Sequence, residues 1–492
     1  MINFLFIFSA ILMGCSQQPW GLGFLAWFSF IPSIYFLNNE KCIKKIISYA
    51  FLWGFIYHLS FLYWLSGNIG IDSIALKYFT MLLVSCFLAL NIIAMFTSYF
   101  IFKKYFDKYC IIYILHFIVV SIEYLRSFGL YGFTWNSLSY TQTDYLMLSQ
   151  NIEYTGIYGI SFWIILINVM LYDLLIDFSK RKVYAFIFSF CFPWITGLVI
   201  QNNYVQPTRY IKTKIVQPNI SLSEKRTNLD KSLLTLIDLS NQSNNDSINL
   251  IVWPESSISS RFLINDNYND RLSKDMNNFL ENNKVQLVAG LEASYKNRRY
   301  NSSVFFIGDS IANVYHKQRL VPNVEYTPKI FDKIGYNMGL SNFDIGEELS
   351  MFNINQTPFG SMVCIESIFP DPTRSFVENG AQFIVYIVND GWYVTAPEPQ
   401  QHAKRCIYRA IENRRSVVRC ANTGISMIVD PYGNITHQSE LNKSDIITAD
   451  VMISDRKTFY TKYGNLFSIL SLFILILIGL FITFKKEQNN DD

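Results

Sequence analysis

Three short segments of this 492-residue chain hold residues that could do chemistry together. Trp253-Pro254-Glu255-Ser256 closes the apolar run 248–253 (INLIVW). A carboxylate just past a buried strand lies where α/β sheets usually bind ligands. Beside Trp and Pro, desolvation should raise its pKa, which suits a general base. Lys317 closes an alternating run, and Glu325 follows in a loop bounded by Pro322 and Pro328. A fixed ammonium there can stabilise a developing oxyanion. Cys364 lies near the end of the run 361–365 (SMVCI), with Glu366 close behind. A thiol at a strand end near carboxylates can be a nucleophile. Taken singly, each has a plainer explanation: a capping or surface carboxylate, a solvated basic patch, a cysteine that packs. Cys406, in a helical pattern, and Cys420, inside a strand pattern, read as structural. His316 should face away from Lys317, because neighbours in a strand alternate. His58 and His116 stand alone in apolar runs without metal-ligand spacing.

The elements that must position these residues are β-branched runs separated by helical patterns. The runs are 211–216, 248–253, 286–291, 303–307, 361–365, 383–388, 416–420 and 425–429; the helical patterns are 224–241, 269–282 and 401–413. Continuous apolar strands alternating with helices predict buried sheets in an α/β architecture.

That region is only part of the chain. Apolar residues make up 51% of the sequence and charged residues 16%, against roughly 25% charged in an ordinary soluble protein. The deficit is local: residues 1–200 hold 19 of the 79 Asp, Glu, Lys and Arg. A membrane-crossing helix needs about 20 mainly apolar residues. Such runs fall at 2–15, 20–38, 48–66, 78–102, 110–125, 156–178, 183–200 and 466–484. The expected organisation is an N-terminal membrane domain over 1–200, a catalytic domain over 201–465, and a last transmembrane helix with a tail over 466–492. Lys41, Lys44 and Lys45, then Lys103, Lys104 and Lys108, then Lys180, Arg181 and Lys182, and finally Lys485 and Lys486 mark alternate connections as cytoplasmic. Both termini are then inside and the α/β domain outside. Leu12-Met13-Gly14-Cys15 has the form of a lipidation box, but no basic residue precedes it, so an uncleaved first helix is expected. The aromatic stretch 126–155 reads either as an interfacial belt, through Trp135, Tyr131 and Tyr140, or as a re-entrant platform. A net charge of +3 gives no nucleic-acid footprint, and eight scattered cysteines without a CxxC pair give neither a disulfide framework nor a zinc signature.

Glu255, Lys317 and Cys364, in this order, form a constellation that resembles the nitrilase superfamily. WPES, KQRLVPNVEYTP, CIESIFPD, VNDGWY and RCANTGISMIVDPYG follow one another, preceded by QQPWGLGFLAWFSFIP and GIYGISFWIILIN. The whole chain resembles that superfamily's membrane-embedded branch, the apolipoprotein N-acyltransferases. The resemblance implies a multi-span helical membrane domain joined to an α-β-β-α sandwich, in a bacterial inner membrane with the sandwich facing the periplasm. It implies Glu255 as base, Lys317 as electrostatic support and Cys364 as nucleophile, with Glu325 and Glu366 supporting. Trp253, Asn389, Trp392 and Tyr393 would line the substrate pocket. The implied reaction moves an acyl chain from a phospholipid to the N-terminal amine of a diacylated lipoprotein through a cysteine thioester, with no cofactor, metal or nucleic acid. Two positions depart from the pattern: Ile365 where Tyr is common and Gly391 where Ala is usual. Residues 331–350, with Gly335, Gly339 and Gly346, are expected to form a mobile arm over the acyl site, and Trp392-Tyr393-Val394 to play a similar part.

Other classes fit the residues less well. A membrane-tethered amidase would use the same triad on a small substrate. A non-catalytic scaffold would not keep the three residues intact. A transporter would carry ionisable residues in mid-helix, whereas Glu123 and Asp173 lie near helix ends.

Overall fold

The computed structural model describes residues 2–106, 111–205, 207–242, 248–258, 271–283, 286–295, 298–322, 324–326, 342–393 and 397–491. They form two compact units, Met1–Tyr204 with Tyr463–Asp492, and Val205–Lys462.

The first unit is helical. Five of its described helices are long and apolar enough to cross a membrane: Ile43–Gly67, Ile74–Phe102, Ile157–Ile176, Lys180–Asn202 and Leu466–Thr483. Two shorter apolar helices, Phe4–Ser16 and Ile112–Leu125, match the expected runs 2–15 and 110–125. The expected span 20–38 is not one helix. It is a 3-10 turn, Gly23–Trp27, followed by a helix, Ile31–Asn39, with Pro32 in its first turn. Proline has no N–H, so it is tolerated at a helix start but breaks a helix interior. The backbone opened by this break finds side-chain partners. Asn168 Nδ2 donates to Ala26 O (2.8 Å), and Asn168 Oδ1 accepts from Phe30 N (2.8 Å). Irregular backbone at membrane depth persists only where such groups are satisfied.

The 126–155 stretch obeys the same rule. It folds into short turns at Leu138–Gln142, Leu146–Ser149 and Ile152–Thr155. Trp135 and Tyr140 are buried within the unit and Tyr131 is exposed, so these aromatics do not form a common belt. Leu138 N donates to Glu123 Oε1 (2.8 Å), and Gln17 Nε2 to the carbonyls of Asn136 and Ser137.

The second unit holds two six-stranded sheets. One contains β1 (Arg209–Gln217), β2 (Leu250–Val252), β3 (Gln286–Tyr295), β4 (Arg298–Ile307), β5 (Ser310–His316) and β12 (Asp445–Ile453), in the order β12-β1-β2-β3-β4-β5. The other contains β6 (Phe352–Ile354), β7 (Thr357–Val363), β8 (Phe383–Val388), β9 (Ser416–Ala421), β10 (Met427–Val429) and β11 (Ile435–Gln438), in the order β11-β10-β9-β8-β7-β6. The strands β1, β2, β3 and β7, β8, β9 pair in parallel, and the outer pairs are antiparallel. The sheets face each other, with Ser303 Oγ of β4 2.6 Å from Ser361 Oγ of β7 and the Phe305 ring against Phe359. Helices Leu229–Asn241 and Arg271–Asn283 bury Leu236, Met276 and Phe279 on the first sheet. Helices Pro370–Glu378 and Glu398–Asn413 cover the second. This is the expected α-β-β-α sandwich. The helical pattern 224–241 is interrupted, because Asn228 ends one helix and caps the next.

Candidate active site

Glu255, Lys317 and Cys364 converge at the ends of β2, β5 and β7. Each is held by a different device. The turn after β2 rests on β3: Trp253 N donates to Val288 O (2.8 Å), Gly290 N to Pro254 O (3.1 Å) and Ser257 N to Gly290 O (2.9 Å). A Cβ on Gly290 would lie 2.6 Å from Glu255 Cα, so only glycine lets β3 run this close beneath Glu255. Ser256 takes a left-handed φ of 53°. Its carbonyl and that of Glu255 both accept from Lys225 Nζ, at 3.2 and 3.0 Å. Burial lowers the Lys225 pKa to about 8.

Lys317 N donates to Asn301 O of β4 (2.8 Å), which fixes where the lysine leaves β5. Its ammonium lies 3.6 Å from Glu255 and 2.8 Å from Glu325. Asn301 Nδ2 divides its two protons between those carboxylates, at 2.7 Å to Glu255 Oε1 and 2.8 Å to Glu325 Oε1. Glu325 Oε2 also accepts from Val321 N (2.8 Å). Burial opposes the charge on Lys317, but Glu325 and Glu255 outweigh it, so its pKa is raised and it is an ammonium.

Cys364 leaves β7 with φ 53°, a conformation costly for a residue with a Cβ, and opens the 3-10 turn Cys364–Ile368. The run 361–365 thus ends as a strand at Val363. The thiol and the Glu255 carboxylate are close enough for each to perturb the other. Burial first, then the Glu255 charge, pushes the thiol pKa well above its ordinary value, with Lys317 opposing. Burial likewise raises Glu255, against Lys317. The resting pair is therefore a thiol beside a carboxylate whose basicity is enhanced.

Glu366 ties the two turns together. Its Oε1 accepts from Tyr315 OH (2.7 Å), Gln318 N (2.8 Å) and Arg319 N (3.2 Å), and its Oε2 from Val363 N (2.8 Å). One buried carboxylate thus spans the chain just past Lys317 and the residue before Cys364.

The other expected site residues divide. Trp253 does not line a pocket. It is fully buried, donates from Nε1 to Ser240 Oγ (2.9 Å) and stacks on Phe279 in the first sheet's core. Its side chain continues the buried face of β2, and the turn that carries Glu255 begins only after it. Asn389 caps the turn Asp390–Trp392 by accepting from Gly391 N (3.2 Å), and its Oδ1 also accepts from Asn422 (3.1 Å). It shapes the end of β8. Trp392 and Tyr393 are half-buried on that same turn. Val394 lies outside the described residues. So does 331–341 of the segment expected to form an arm. The described part, 342–350, is tied back to the site: Phe343 N donates to Glu325 O and Gly346 N to Lys317 O. A Cβ on Gly346 would lie 2.1 Å from His316 O. His316 faces away from the triad as expected, stacked on Tyr300 and bonded to Ser302. Cys406 and Cys420 are buried.

Several residues escaped the sequence. Asn301 and Lys225 lie in no recognisable motif. Asp390, His402 and Arg419 form a buried cluster beside Cys364, with His402 Nδ1 2.8 Å from Asp390 Oδ1 and Arg419 Nη2 2.8 Å from Asp390 Oδ2. Asp390, Glu398 and His402 have the spacing of a metal site. The Arg419 guanidinium already supplies the positive charge there, within 3.2 Å of His402 Nδ1. A buried Arg inside a strand pattern (SVVRC) was the available signal.

Residues 212–459, just over half of the chain, match the carbon-nitrogen hydrolase family model. The chain belongs to the carbon-nitrogen hydrolase family. Residues 9–170 match the apolipoprotein N-acyltransferase N-terminal domain. The chain is 29% identical to an apolipoprotein N-acyltransferase of Thermotoga maritima, over 99% of this chain and 95% of that one. It is 27% identical to one of Geobacter metallireducens, over 94% and 91%. A third, from Rickettsia bellii, is 27% identical over 93% of each chain. This carbon-nitrogen hydrolase family member thus matches both parts of the apolipoprotein N-acyltransferases, in order and over more than nine-tenths of each relative's length. With five helices among the described residues long and apolar enough to cross, and with these relatives, it is a multi-pass bacterial membrane protein.

Proposed function

We propose that the chain transfers a fatty acyl group from a membrane phospholipid to the N-terminal α-amine of a diacylglyceryl-cysteine lipoprotein, with Cys364 as nucleophile, Glu255 as base and Lys317 as oxyanion support. The observation that carries this reading is the meeting of the Cys364 thiol with the Glu255 carboxylate beside the Lys317 ammonium.

Glu255 takes the thiol proton as Sγ bonds to the ester carbonyl carbon. The oxyanion gathers charge beside Lys317. The ester C–O bond breaks, Glu255 returns the proton to the leaving oxygen, and a lysophospholipid departs. The neutral amine then attacks the thioester. A C–N bond forms, the C–S bond breaks, and the amine proton passes through Glu255 back to the sulfur. Covalent catalysis gains by dividing one transfer into two. Glu325 balances the Lys317 charge, so that Glu255 stays free to cycle its proton.

Both substrates are lipid-anchored, so a site facing the outer leaflet would meet them by lateral diffusion. The basic connections support the periplasmic side for 205–462 and the cytoplasm for both termini. The test is transfer by the purified protein from phospholipid to a diacylated lipopeptide. The expected result is acylation of the peptide amine, absent with Cys364→Ala. Turnover of a short-chain amide without lipid, and no lipopeptide product, would favour the amidase.

A further inference from the structure

The turn that carries Cys364 is also braced through its backbone carbonyl. Cys364 O lies 3.0 Å from Ser367 Oγ and 3.3 Å from His402 Nε2, and those two atoms lie 2.9 Å apart. The other ring nitrogen, Nδ1, faces Asp390 Oδ1 at 2.8 Å. Asp390 stands just past β8 and accepts from Arg419 of β9. A continuous buried chain thus runs from Arg419 through Asp390, His402 and Ser367 to the carbonyl of Cys364.

The proton inventory of this chain is tight. Asp390 is held ionised: burial alone would raise its pKa, but Arg419 and His402 bring it below the ordinary value. An ionised carboxylate only accepts, so Nδ1 carries a proton toward it. Burial depresses the His402 pKa, and Asp390 and the Cys364 carbonyl only partly offset this, so the ring is neutral; with Nδ1 protonated, Nε2 accepts from Ser367 Oγ, and its 3.3 Å approach to the Cys364 carbonyl is a packing contact. The one Ser367 hydroxyl proton is then shared between Nε2 (2.9 Å) and the Cys364 carbonyl (3.0 Å). Rotating the turn would break this shared hydrogen bond. The left-handed Cys364 needs such over-determination, because strained backbone persists only where its surroundings fix it.

We propose that His402 is a positioning residue: through Ser367 it fixes the Cys364 turn, and so sets the thiol against Glu255. This rests on Cys364 being the nucleophile. The described contacts of His402 and Ser367 with Cys364 are to its backbone carbonyl.

The experiment measures, by intact mass, how fast iodoacetamide alkylates Cys364 in the full-length detergent-solubilised protein, with Cys364→Ala marking the site. Thioester formation from phospholipid is followed in parallel. His402→Leu and Ser367→Ala should each slow both rates about tenfold, as expected when a reacting group shifts by a fraction of an ångström. The double variant should be little slower than either alone, because the two act in one chain. His402→Gln, whose amide can bond the same hydroxyl, should recover most of the rate. Wild-type rates in folded Ser367→Ala and His402→Leu would overturn the proposal. So would a His402→Gln as slow as His402→Leu, with both losses tracking thermal stability, since the histidine would then only stabilise. If His402→Leu does not fold, Ser367→Ala and His402→Gln decide alone. Should the wild type be alkylated in the expected pattern yet form no thioester, the positioning role stands and the acyltransferase reading falls.

Discussion

The Lys317 ammonium lies 2.8 Å from Glu325 and 3.6 Å from Glu255, so the lysine's nearer counter-ion is not the proposed base. This asymmetry gives the two carboxylates different work. Glu325→Gln would leave Lys317 paired with Glu255 alone and make that carboxylate a weaker base. Thioester formation should fall by about two orders of magnitude or more, the scale of general-base catalysis. Single-turnover acylation measures it. A rate within twofold of wild type would count against the division of labour.

Asn301 offers a pH test with a definite sign. Its hydrogen bond lowers the Glu255 pKa, against the raising effect of burial and of Glu325. Asn301→Ala removes that bond, so the Glu255 pKa rises. At any pH on the acid side a smaller fraction of the base is then ionised. The acid limb of the acylation rate should move to higher pH, and the measurement is the pH–rate profile of thioester formation. A shift to lower pH would contradict the assignment.

Glu366 has all its acceptor work done by protein donors. In Glu366→Gln an amide N–H2 must confront either Val363 N–H or the pair Gln318 and Arg319 N–H. An unmade buried hydrogen bond costs about 1–3 kcal/mol. We expect a lower thermal midpoint together with lost acylation. An active variant of unchanged stability would show that the brace is dispensable.

Gly290→Ala places a Cβ 2.6 Å from Glu255 Cα and 2.5 Å from Ser256 N. These are backbone atoms, so the turn itself must move. Acylation should fall about 100-fold, as for a reacting group displaced by about an ångström. Cys364 alkylation and lipopeptide transfer together would report it.

What was legible in the sequence follows from physics. Buried parallel strands read as unbroken apolar runs, so β8 (FIVYIV) and β9 (SVVRCA) were visible. β12 (DIITADVMI) was not, because its burial alternates and charged residues interrupt it. β11 is exposed along its length and carries no apolar signal. The span 20–38 misled because hydropathy does not register that Pro32 must start a helix. Glu255, Lys317 and Cys364 were legible as strand-end residues. Asn301, Lys225 and His402 reach the site from segments far apart in the chain, and no local pattern encodes those approaches. Trp253 was misplaced because nearness in sequence to Glu255 says nothing about whether its side chain turns to the site or into the core.

The most direct test is the intact mass of the purified protein after incubation with phospholipid, beside Cys364→Ala. The account predicts one added acyl mass on the wild type, removed by hydroxylamine, absent from the variant, and discharged to the amine of a diacylated lipopeptide. A folded wild type that gains no acyl mass, or a Cys364→Ala variant that gains the same mass, would contradict it.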